Sequence, residues 1–439
     1  MVTTPYFHSQ DYQRDVAFWS AFRMLESVVY LIVLLFFSGG VIGLFFADPA
    51  AAEAQSALAR TLWYPVYALV ILVSLMTLPR FLKMAAFSPI IIFCVLACGA
   101  TYFWSVDPSI TLRRSIALMV TTMAGLALAA RYDWSEMVQR IAFVFLIAAI
   151  ISLFIIITNP ARGIMSEIHV GAWRGVWVEK NYLGGNMTKG LIACMCAFAM
   201  RPSRAWLWIP GGLLCFFLVL MSTSKTALLI SVSAILLFFA LRLFRRFPII
   251  RIPLLYSIVA SLTVFFILVL AIPEEMFAII GKDPTLTGRT DIWDLLMMSI
   301  KQKFWLGYGY GTYWADPLGP SYSVRTILQW GVPSAHNGWI ETWLSGGVVV
   351  VAMFAFHFIV VTGFAVDRIG RGGVEAYWVV LSTLMFLGFS MSESTILQQN
   401  DLSWVLFVAT SAKLFAFDKP YWRKSTIRRK TLEMQAQYR

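Results

Sequence analysis

The stretch IAFVFLIAAIISLFIIIT, residues 141–158, runs for 18 positions without a charged side chain. A run of this length and composition can cross the hydrocarbon core of a bilayer as one helix. Similar runs recur throughout the 439 residues, of which 59% are hydrophobic and only 13% are charged. Because soluble domains carry about 25% charged residues, the composition argues against a large soluble enzyme, a disordered chain and a secreted disulfide scaffold.

The apolar runs predict an all-α integral membrane protein with about twelve transmembrane helices, which at ~20 residues each would use ~240 positions. The predicted spans are 27–46, 62–78, 87–104, 115–130, 141–158, 181–200, 205–221, 226–243, 252–272, 340–366, 375–391 and 401–417. The chain then divides into an N-terminal tail (1–26), a polytopic membrane domain (27–417) and a basic C-terminal tail (418–439).

The basic residues of the loops predict the orientation of these spans, because short cytoplasmic loops are enriched in Lys and Arg. With the N-terminus taken as cytoplasmic, 21 of the 35 Lys and Arg residues lie on that side. Both termini are therefore predicted to be cytoplasmic, and two long segments, 159–180 and 273–339, face outward. Orientation and anionic lipid account for the net charge of +12, so we expect no nucleic acid partner. The five cysteines lie inside apolar runs, which predicts buried thiols.

The longer outer segment contains an amphipathic pattern over residues 291–304. Apolar residues recur there at helical spacing, and we expect this helix to lie in the outer interface with the Met297–Met298 pair and Trp305 dipping into lipid or protein. Thr290 is the predicted N-cap. Arg289 would then precede a helix N-terminus, where a guanidinium and free N–H groups suit phosphate oxygens. The alternative is an ion pair between Arg289 and Asp291 or Asp294.

Two further motifs follow in the same segment. The run LGYGYGTYW, residues 306–314, lacks the strand and the Lys-Ser/Thr of a phosphate-binding loop, and predicts a turn that passes close to a ligand or a helix. Its aromatic residues would either stack on sugar rings or pack at the interface. The motif PSAHNG, residues 333–338, places His336 where the tenth span meets water. An imidazole there can accept a proton from a hydroxyl, although a capping or surface role is the alternative.

Several cations fall on the predicted outer side, which the orientation rule leaves poor in positive charge: Arg113, Arg114, Arg174, Lys180, Lys225 and Arg289. Such a cluster calls for an anion, and a lipid-linked phosphate or pyrophosphate is the natural choice. Small and polar residues at 181, 184, 185 and 188 favour close helix packing. Lys189 lies about 12 Å into the same helix, where it either extends toward the interface or meets a partner inside the protein.

In this order, the motifs WSVDP (104–108), KNYLG (180–184), STSK (222–225), TGR (287–289), LGYG (306–309) and HNG (336–338) resemble those of the O-antigen ligase/polymerase family. The resemblance covers about residues 100–350, and the hydropathy outside it is similar. GRTDIW (288–293) and GYGYG (307–311) are most similar to the exopolysaccharide polymerases of the succinoglycan type.

The resemblance implies a glycosyltransferase-C-like helical fold in the bacterial inner membrane, with a large periplasmic loop before the tenth span. It implies transfer of a glycan from undecaprenyl pyrophosphate to an acceptor hydroxyl on the periplasmic face, with inversion and without a metal or cofactor. By the same resemblance, His336 would activate the acceptor and Arg289 would hold the pyrophosphate. Lys225 stands where the family has a second arginine, and it keeps the charge without the bidentate fork.

Arg113, Arg114, Arg174, Lys180, Asn181 and Asn337 are the further predicted substrate-binding residues. The expected partners are the lipid-linked oligosaccharide and the bilayer, together with chain-length regulators and export proteins. Three alternatives stay open: an O-antigen ligase acting on lipid A-core, a transporter or flippase of lipid-linked sugars, and a structural subunit of a synthesis complex. A transporter would concentrate its polar residues near the bilayer centre, whereas most candidates here lie at one face.

Overall fold

The protein, taken from a computed structural model, is described over residues 10–45, 52–166, 169–247, 289–329 and 331–416. Helices dominate these residues, and their single β-type pairing is the isolated bridge between Ile164 and Trp173. The helices are α1 (Gln10–Phe37), α2 (Gly40–Phe45), α3 (Ala52–Met76), α4 (Leu78–Ala86), α5 (Pro89–Ala100), α6 (Pro108–Arg131), α7 (Trp134–Thr158), α8 (Pro160–Gly163), α9 (Lys180–Met200), α10 (Ala205–Met221), α11 (Lys225–Arg246), α12 (Arg289–Gln302), α13 (Tyr322–Leu328), α14 (Gly338–Arg371), α15 (Glu375–Ser390) and α16 (Leu402–Phe415).

Within the described residues, six helices are long and apolar enough to cross a membrane, namely α6, α7, α9, α10 with its preceding turn, α11 and α14. The bent pair α3 and α4 makes a seventh if it is counted as one span, and shorter apolar helices occupy four other predicted spans. The predicted all-α membrane fold is therefore confirmed. The predicted span 252–272 lies outside the described residues, and the total of twelve spans stays a prediction.

The second predicted span, 62–78, differs in shape from a simple membrane crossing. Helix α3 ends at Met76, and α4 leaves it at an angle of 94°. Pro79 explains the break, because proline lacks the N–H of a continuing helix and its ring clashes with the preceding turn. The residue between the two helices, Thr77, begins the new direction.

The ends of the helices meet in two groups at opposite ends of the bundle. At one end, called the site end below, Ser224 donates a hydrogen bond to Asn181, and the hydroxyl of Tyr310 donates to the Leu397 carbonyl. The other end, called the basic end, contains paired arginines: Arg131 with Glu26, Arg204 with Gln139, and Arg245 with the Gly373 carbonyl. The compartment that each end faces stays a prediction.

An aromatic cluster joins the three helices that lead to the site end. Phe354 of α14, Phe386 of α15 and both Trp404 and Phe407 of α16 pack with ring centroids 4.3–6.5 Å apart. Aromatic pairs at such distances add to the stabilisation that their buried area already provides. The loops before α14 and between α15 and α16 are thereby fixed relative to one another.

Helix α14 is interrupted at Gly347, whose φ of 71° lies in the left-handed region. Residues 304–309 dock against this break: the N–H of Tyr308 donates to the Leu344 carbonyl at 2.7 Å, and the N–H of Val348 donates to the Phe304 carbonyl at 2.9 Å. At the break, α14 lacks some of its own backbone hydrogen bonds, and hydrogen bonds to residues 304–309 replace them. This confirms the prediction that the run passes close to a helix.

We predict that Gly347→Ala destabilises the protein, because a Cβ there would lie 2.1 Å from the Trp305 carbonyl oxygen and would also require a positive φ, which alone costs about 1–3 kcal/mol. Thermal unfolding of the purified protein in detergent measures the loss. The matched control is Gly363→Ala in the same helix, where an added Cβ meets nothing within 4 Å. Equal melting temperatures for the two variants would show that the docked segment is not a structural requirement.

Candidate active site

The loop before α14 presents His336 in a fixed orientation. Its φ of 47° places this residue in the left-handed region, which residues other than glycine rarely adopt. The neighbouring Ala335 is held from two sides, since the Trp293 indole N–H donates to its carbonyl and its own N–H donates to Glu341, both at 2.9 Å. Asn337 accepts hydrogen bonds from the first N–H groups of α14. These contacts on both neighbouring residues therefore hold the backbone of His336 in place.

Glu393 lies between His336 and Arg289. Its Oε1 is 3.7 Å from Nη2 of Arg289, and its Oε2 is 3.8 Å from Nδ1 of His336. Both distances exceed hydrogen-bond reach, so the contacts are electrostatic. The side chains of His336, Arg289 and Glu393 are 24%, 20% and 35% exposed, so incoming ligand atoms can reach them. Nδ1 of His336 has no hydrogen-bond partner among the described residues.

The structure thus brings together His336 and Arg289, the two residues for which the resemblance predicts the central roles. The predicted alternative for Arg289 is wrong, because its acidic partner is Glu393 and not Asp291 or Asp294. Sequence reasoning missed Glu393, which lies in the loop between α15 and α16. The signal available was the polar triplet Ser392-Glu393-Ser394 directly after an apolar span.

Helix α12 carries Arg289 at its first described residue, and it confirms the predicted amphipathic helix over nearly the same range. Ile292, Leu296 and Ile300 are buried, whereas Met298 and Trp305 are 61% and 69% exposed. The predictions that Thr290 caps this helix and that Arg289 precedes it are wrong, because both residues lie within the helix. The buried face of α12 holds Arg289 against the loop that bears His336.

The aromatic residues of the glycine-rich run mainly pack against each other. The rings of Tyr308 and Tyr313 lie 5.1 Å apart, and Tyr313 contacts Trp314 at 4.9 Å. Tyr313 shares a hydrogen bond of 2.8 Å with Ser299 of α12, and burial raises the pKa of Tyr313 to about 12. Of the two predicted roles for these residues, packing describes both tyrosines. Trp314 is half-buried and faces a cavity.

This cavity, of about 190 Å³, is lined by chain neighbours of His336 and Glu393, whereas His336, Glu393 and Arg289 are not themselves part of its lining. Its lining includes Arg114, Tyr310, Trp314, Ser334, Glu341 and Gln399. Ser334 is two residues from His336, and Ser394, which also lines the cavity, follows Glu393. The Trp314 indole donates to Glu341 at 3.1 Å, and the Arg114 guanidinium donates to the Gly311 carbonyl. Donors, acceptors and an aromatic face in one hollow suit a sugar ring.

Lys180, Asn181 and Lys225 form a second group at the site end. Lys180 and Lys225 begin α9 and α11, and their ammonium groups are close enough to repel each other. Asn181 accepts a hydrogen bond of 3.0 Å from Ser224. Burial and, to a smaller extent, the charge of Lys180 lower the pKa of His169. Two positive helix N-termini with lysines therefore stand side by side, an arrangement that attracts anions.

The other predicted binding residues have different surroundings. Arg174 donates to the carbonyl of Arg162 at 2.7 Å, so its guanidinium holds the first outer segment together. Arg113 is exposed beside Asp107, whose pKa is lowered by the Ile110 N–H, by Ser109 and, last, by Arg113. Asn337 is the cap of α14. Their roles in substrate binding stay predictions.

Helix α9 packs closely on α11, as its small polar face predicts. Thr188 shares a hydrogen bond of 2.9 Å with Ser231, and Gly184 leaves no room for a Cβ beside Ser222. Lys189 does not reach the interface: it is 7% exposed, and its Nζ lies 5.3 Å from the centre of the Phe389 ring. The five cysteines are buried and free, as predicted.

The donor set of the described residues contains no group of three His, Cys, Asp or Glu side chains that could hold a metal ion. Reaction without a metal or cofactor stays a prediction.

Fold and site together define a multi-pass membrane protein with a His–Glu–Arg cluster at one end of its helix bundle. The sequence profile of the O-antigen ligase family matches residues 210–355, a range that contains Lys225, Arg289 and His336. The exopolysaccharide production protein ExoQ of Rhizobium meliloti (strain 1021) is 26% identical over 295 residues, which cover 64% of this chain. The match spans 65% of that relative's own length. These findings confirm the resemblance to the O-antigen ligase/polymerase family that the motifs predict.

We predict that Glu341→Ala lowers the stability of the protein, because it leaves the Ala335 N–H and the Trp314 indole N–H without their acceptor. An unsatisfied buried donor costs about 1–3 kcal/mol. Thermal unfolding in detergent measures the effect, with Asp294→Ala on the exposed face of α12 as the control. If the two variants unfold at the same temperature, Glu341 does not hold the His336 loop.

Proposed function

We propose that this protein polymerises a bacterial surface polysaccharide, by moving a glycan from undecaprenyl pyrophosphate to a sugar hydroxyl. The observation that carries the proposal is the position of Glu393 between the imidazole of His336 and the guanidinium of Arg289. The proposed base, His336, and the proposed diphosphate ligand, Arg289, therefore both lie next to the Glu393 carboxylate. The family and the exopolysaccharide relative support this class of reaction.

In the proposed step, Nε2 of His336 takes the proton of the acceptor hydroxyl while the acceptor oxygen forms a bond to the anomeric carbon. The bond from that carbon to the phosphate oxygen breaks on the opposite face, so the configuration inverts. Its electron pair leaves with undecaprenyl pyrophosphate. Glu393 faces Nδ1, where its negative charge would favour the tautomer with the proton on Nδ1 and would offset the charge of the imidazolium. Contacts that are long without substrate often shorten when substrate binds.

Arg289 supplies the anion ligand in this proposal. At 3.7 Å its pairing with Glu393 is loose, so the guanidinium can turn to a diphosphate and form shorter, charge-assisted hydrogen bonds. Negative charge grows on the leaving group as the bond breaks, and a cation placed there stabilises the transition state. Lys180 and Lys225 supply further positive charge from two helix N-termini.

The cavity beside His336 is proposed to receive the acceptor sugar. Trp314 offers an aromatic face, while Arg114, Glu341 and Gln399 offer donors and acceptors for hydroxyl groups. This assignment gives Arg114 a role on the acceptor side rather than on the diphosphate. The site end would face the periplasm of the inner membrane, with both termini cytoplasmic. Chain-length regulators and export proteins are the proposed partners.

O-antigen ligase activity is the second candidate, favoured by the description of the matching family. Ligation to lipid A-core would use the same donor and the same base, and only the acceptor differs. Separation of lipopolysaccharide and secreted polysaccharide by size in a deletion strain distinguishes the two functions. Loss of a polymerase leaves single repeats, whereas loss of a ligase leaves long chains on the lipid carrier. A flippase or a structural subunit would instead retain function without His336.

We predict that His336→Ala lowers the rate of glycan transfer by about 10²-fold or more, the range that a general base contributes. The assay uses purified protein in detergent with a purified lipid-linked repeat, with and without a chelator. His169→Ala is the control, because His169 is an exposed histidine outside the cluster. Transfer by His336→Ala at the wild-type rate would remove the imidazole from the mechanism, and dependence on a metal would appear as inhibition by the chelator.

We predict that Arg289→Gln lowers kcat/KM for the lipid-linked donor by about tenfold to a hundredfold, the value of one or two charge-assisted hydrogen bonds. Arg289→Lys recovers part of this loss, because it restores the charge without the fork. Lys301→Gln, an exposed cation at the other end of α12, is the matched control. If Arg289→Gln leaves the donor dependence unchanged, the diphosphate binds elsewhere.

A further inference from the structure

A second cavity, of about 490 Å³, lies at the basic end between α1, α7 and the turn from α9 to α10. Its walls are apolar and include Leu31, Leu34, Phe143 and Leu207. The volume is within the range of ligand pockets, about 300–1,000 Å³. None of the residues to which the reaction was assigned above lines this cavity.

One part of the cavity is cationic. Arg140, Arg201 and Arg204 line it together with a single carboxylate, that of Glu136. Arg204 donates to Gln139 at 3.2 Å. Arg140 is held in place by a hydrogen bond of 3.0 Å to Ser27 and by the Tyr132 ring, whose centroid is 4.0 Å away. Three guanidinium groups facing one carboxylate leave an excess of positive charge that an anion would balance.

Two buried donors in this lining have no hydrogen-bond partner among the described residues. Trp208 is 3% exposed, and its indole Nε1–H lacks an acceptor. The Nε of Arg140 lacks one as well. A buried donor without an acceptor costs free energy, and either group would gain an acceptor from a ligand oxygen that entered next to it. This observation is independent of the charge count and indicates the same kind of ligand.

Part of the cavity lining is apolar and exposed at the surface of the bundle. Met24, Val28 and Phe143 belong to its lining and are 69%, 44% and 43% exposed. On a membrane protein, apolar residues this exposed are suited to contact with lipid. A groove with an apolar body, a cationic head and exposed apolar residues matches a molecule with an acyl chain and a phosphate.

We propose that this cavity binds one anionic phospholipid of the surrounding membrane. Its acyl chain would lie along Leu31, Leu34 and Leu207, and its phosphate would meet Arg201, Arg204 and the Trp208 indole. Basic pockets between membrane helices are known to accept anionic headgroups in this way. The bound lipid would tie α1 and α10 to α7, at the end of the bundle opposite the His336 cluster.

The test measures the thermal stability of full-length protein in a neutral detergent as lipid is added. We expect phosphatidylglycerol to raise the unfolding temperature at lower concentration than phosphatidylcholine with the same acyl chains. In the double variant Arg201→Gln/Arg204→Gln, the concentration of phosphatidylglycerol that gives half of the maximal rise in unfolding temperature should increase by about tenfold or more. This is the effect expected when two cations beside a headgroup are lost. Trp208→Phe, which keeps the ring but removes the donor, should weaken the effect less.

The matched control is Arg242→Gln/Arg246→Gln, which removes two exposed arginines near the end of α11, outside this cavity. If both double variants lose the effect equally, general attraction to the basic end explains the binding and the proposal fails. Equal stabilisation by the two lipids would overturn it as well. Inorganic phosphate alone should give no shift, and a shift equal to that of phosphatidylglycerol would show a site for free anions. If the cavity double variant does not fold, Trp208→Phe and the comparison of the two lipids still test whether the cavity binds an anionic phospholipid.

Discussion

The carboxylate of Glu393 faces a guanidinium on one side and an imidazole on the other, and the arrangement of the site end depends on it. Without this group, the imidazole of His336 would become a second positive charge near Arg289 when it takes a proton. With it, the protonated imidazole has a neighbouring negative charge, and the arginine has a loose partner that it can leave for a stronger anion. One acidic residue thus supports both proposed roles without holding either side chain at hydrogen-bond distance.

The remainder of the bundle brings these three groups from distant parts of the chain. Arg289 comes from the amphipathic helix α12, His336 from the loop before α14, and Glu393 from the loop after α15. The aromatic cluster beneath fixes the last two helices, while the break in α14 receives the glycine-rich run that follows α12. Because the run replaces hydrogen bonds that the broken helix lacks, α12 is held against α14, the helix that follows the His336 loop.

The sequence predicts the helices well, because an apolar run of span length has few alternatives to a membrane helix. It also predicts the amphipathic helix and the close passage of the glycine run, since both depend on local spacing and backbone freedom. It does not reveal the bend of 94° between α3 and α4, which a single residue, Pro79, causes. Glu393 was missed for a different reason: its partners are 57 and 104 positions away along the chain, and only packing brings them near. Asn337 and Arg174 show the opposite case, in which a residue predicted to bind substrate has a structural contact. Asn337 caps α14, and Arg174 donates hydrogen bonds to loop carbonyls.

The most direct test of the central claim is a double-mutant cycle on the rate of glycan transfer, with His336→Ala, Glu393→Gln and the pair. If Glu393 acts by orienting the imidazole and offsetting its charge, the loss in the double variant is close to that of His336→Ala alone, because the carboxylate has nothing left to act on. If the two losses multiply, Glu393 and His336 work independently, and the account of a shared carboxylate is contradicted.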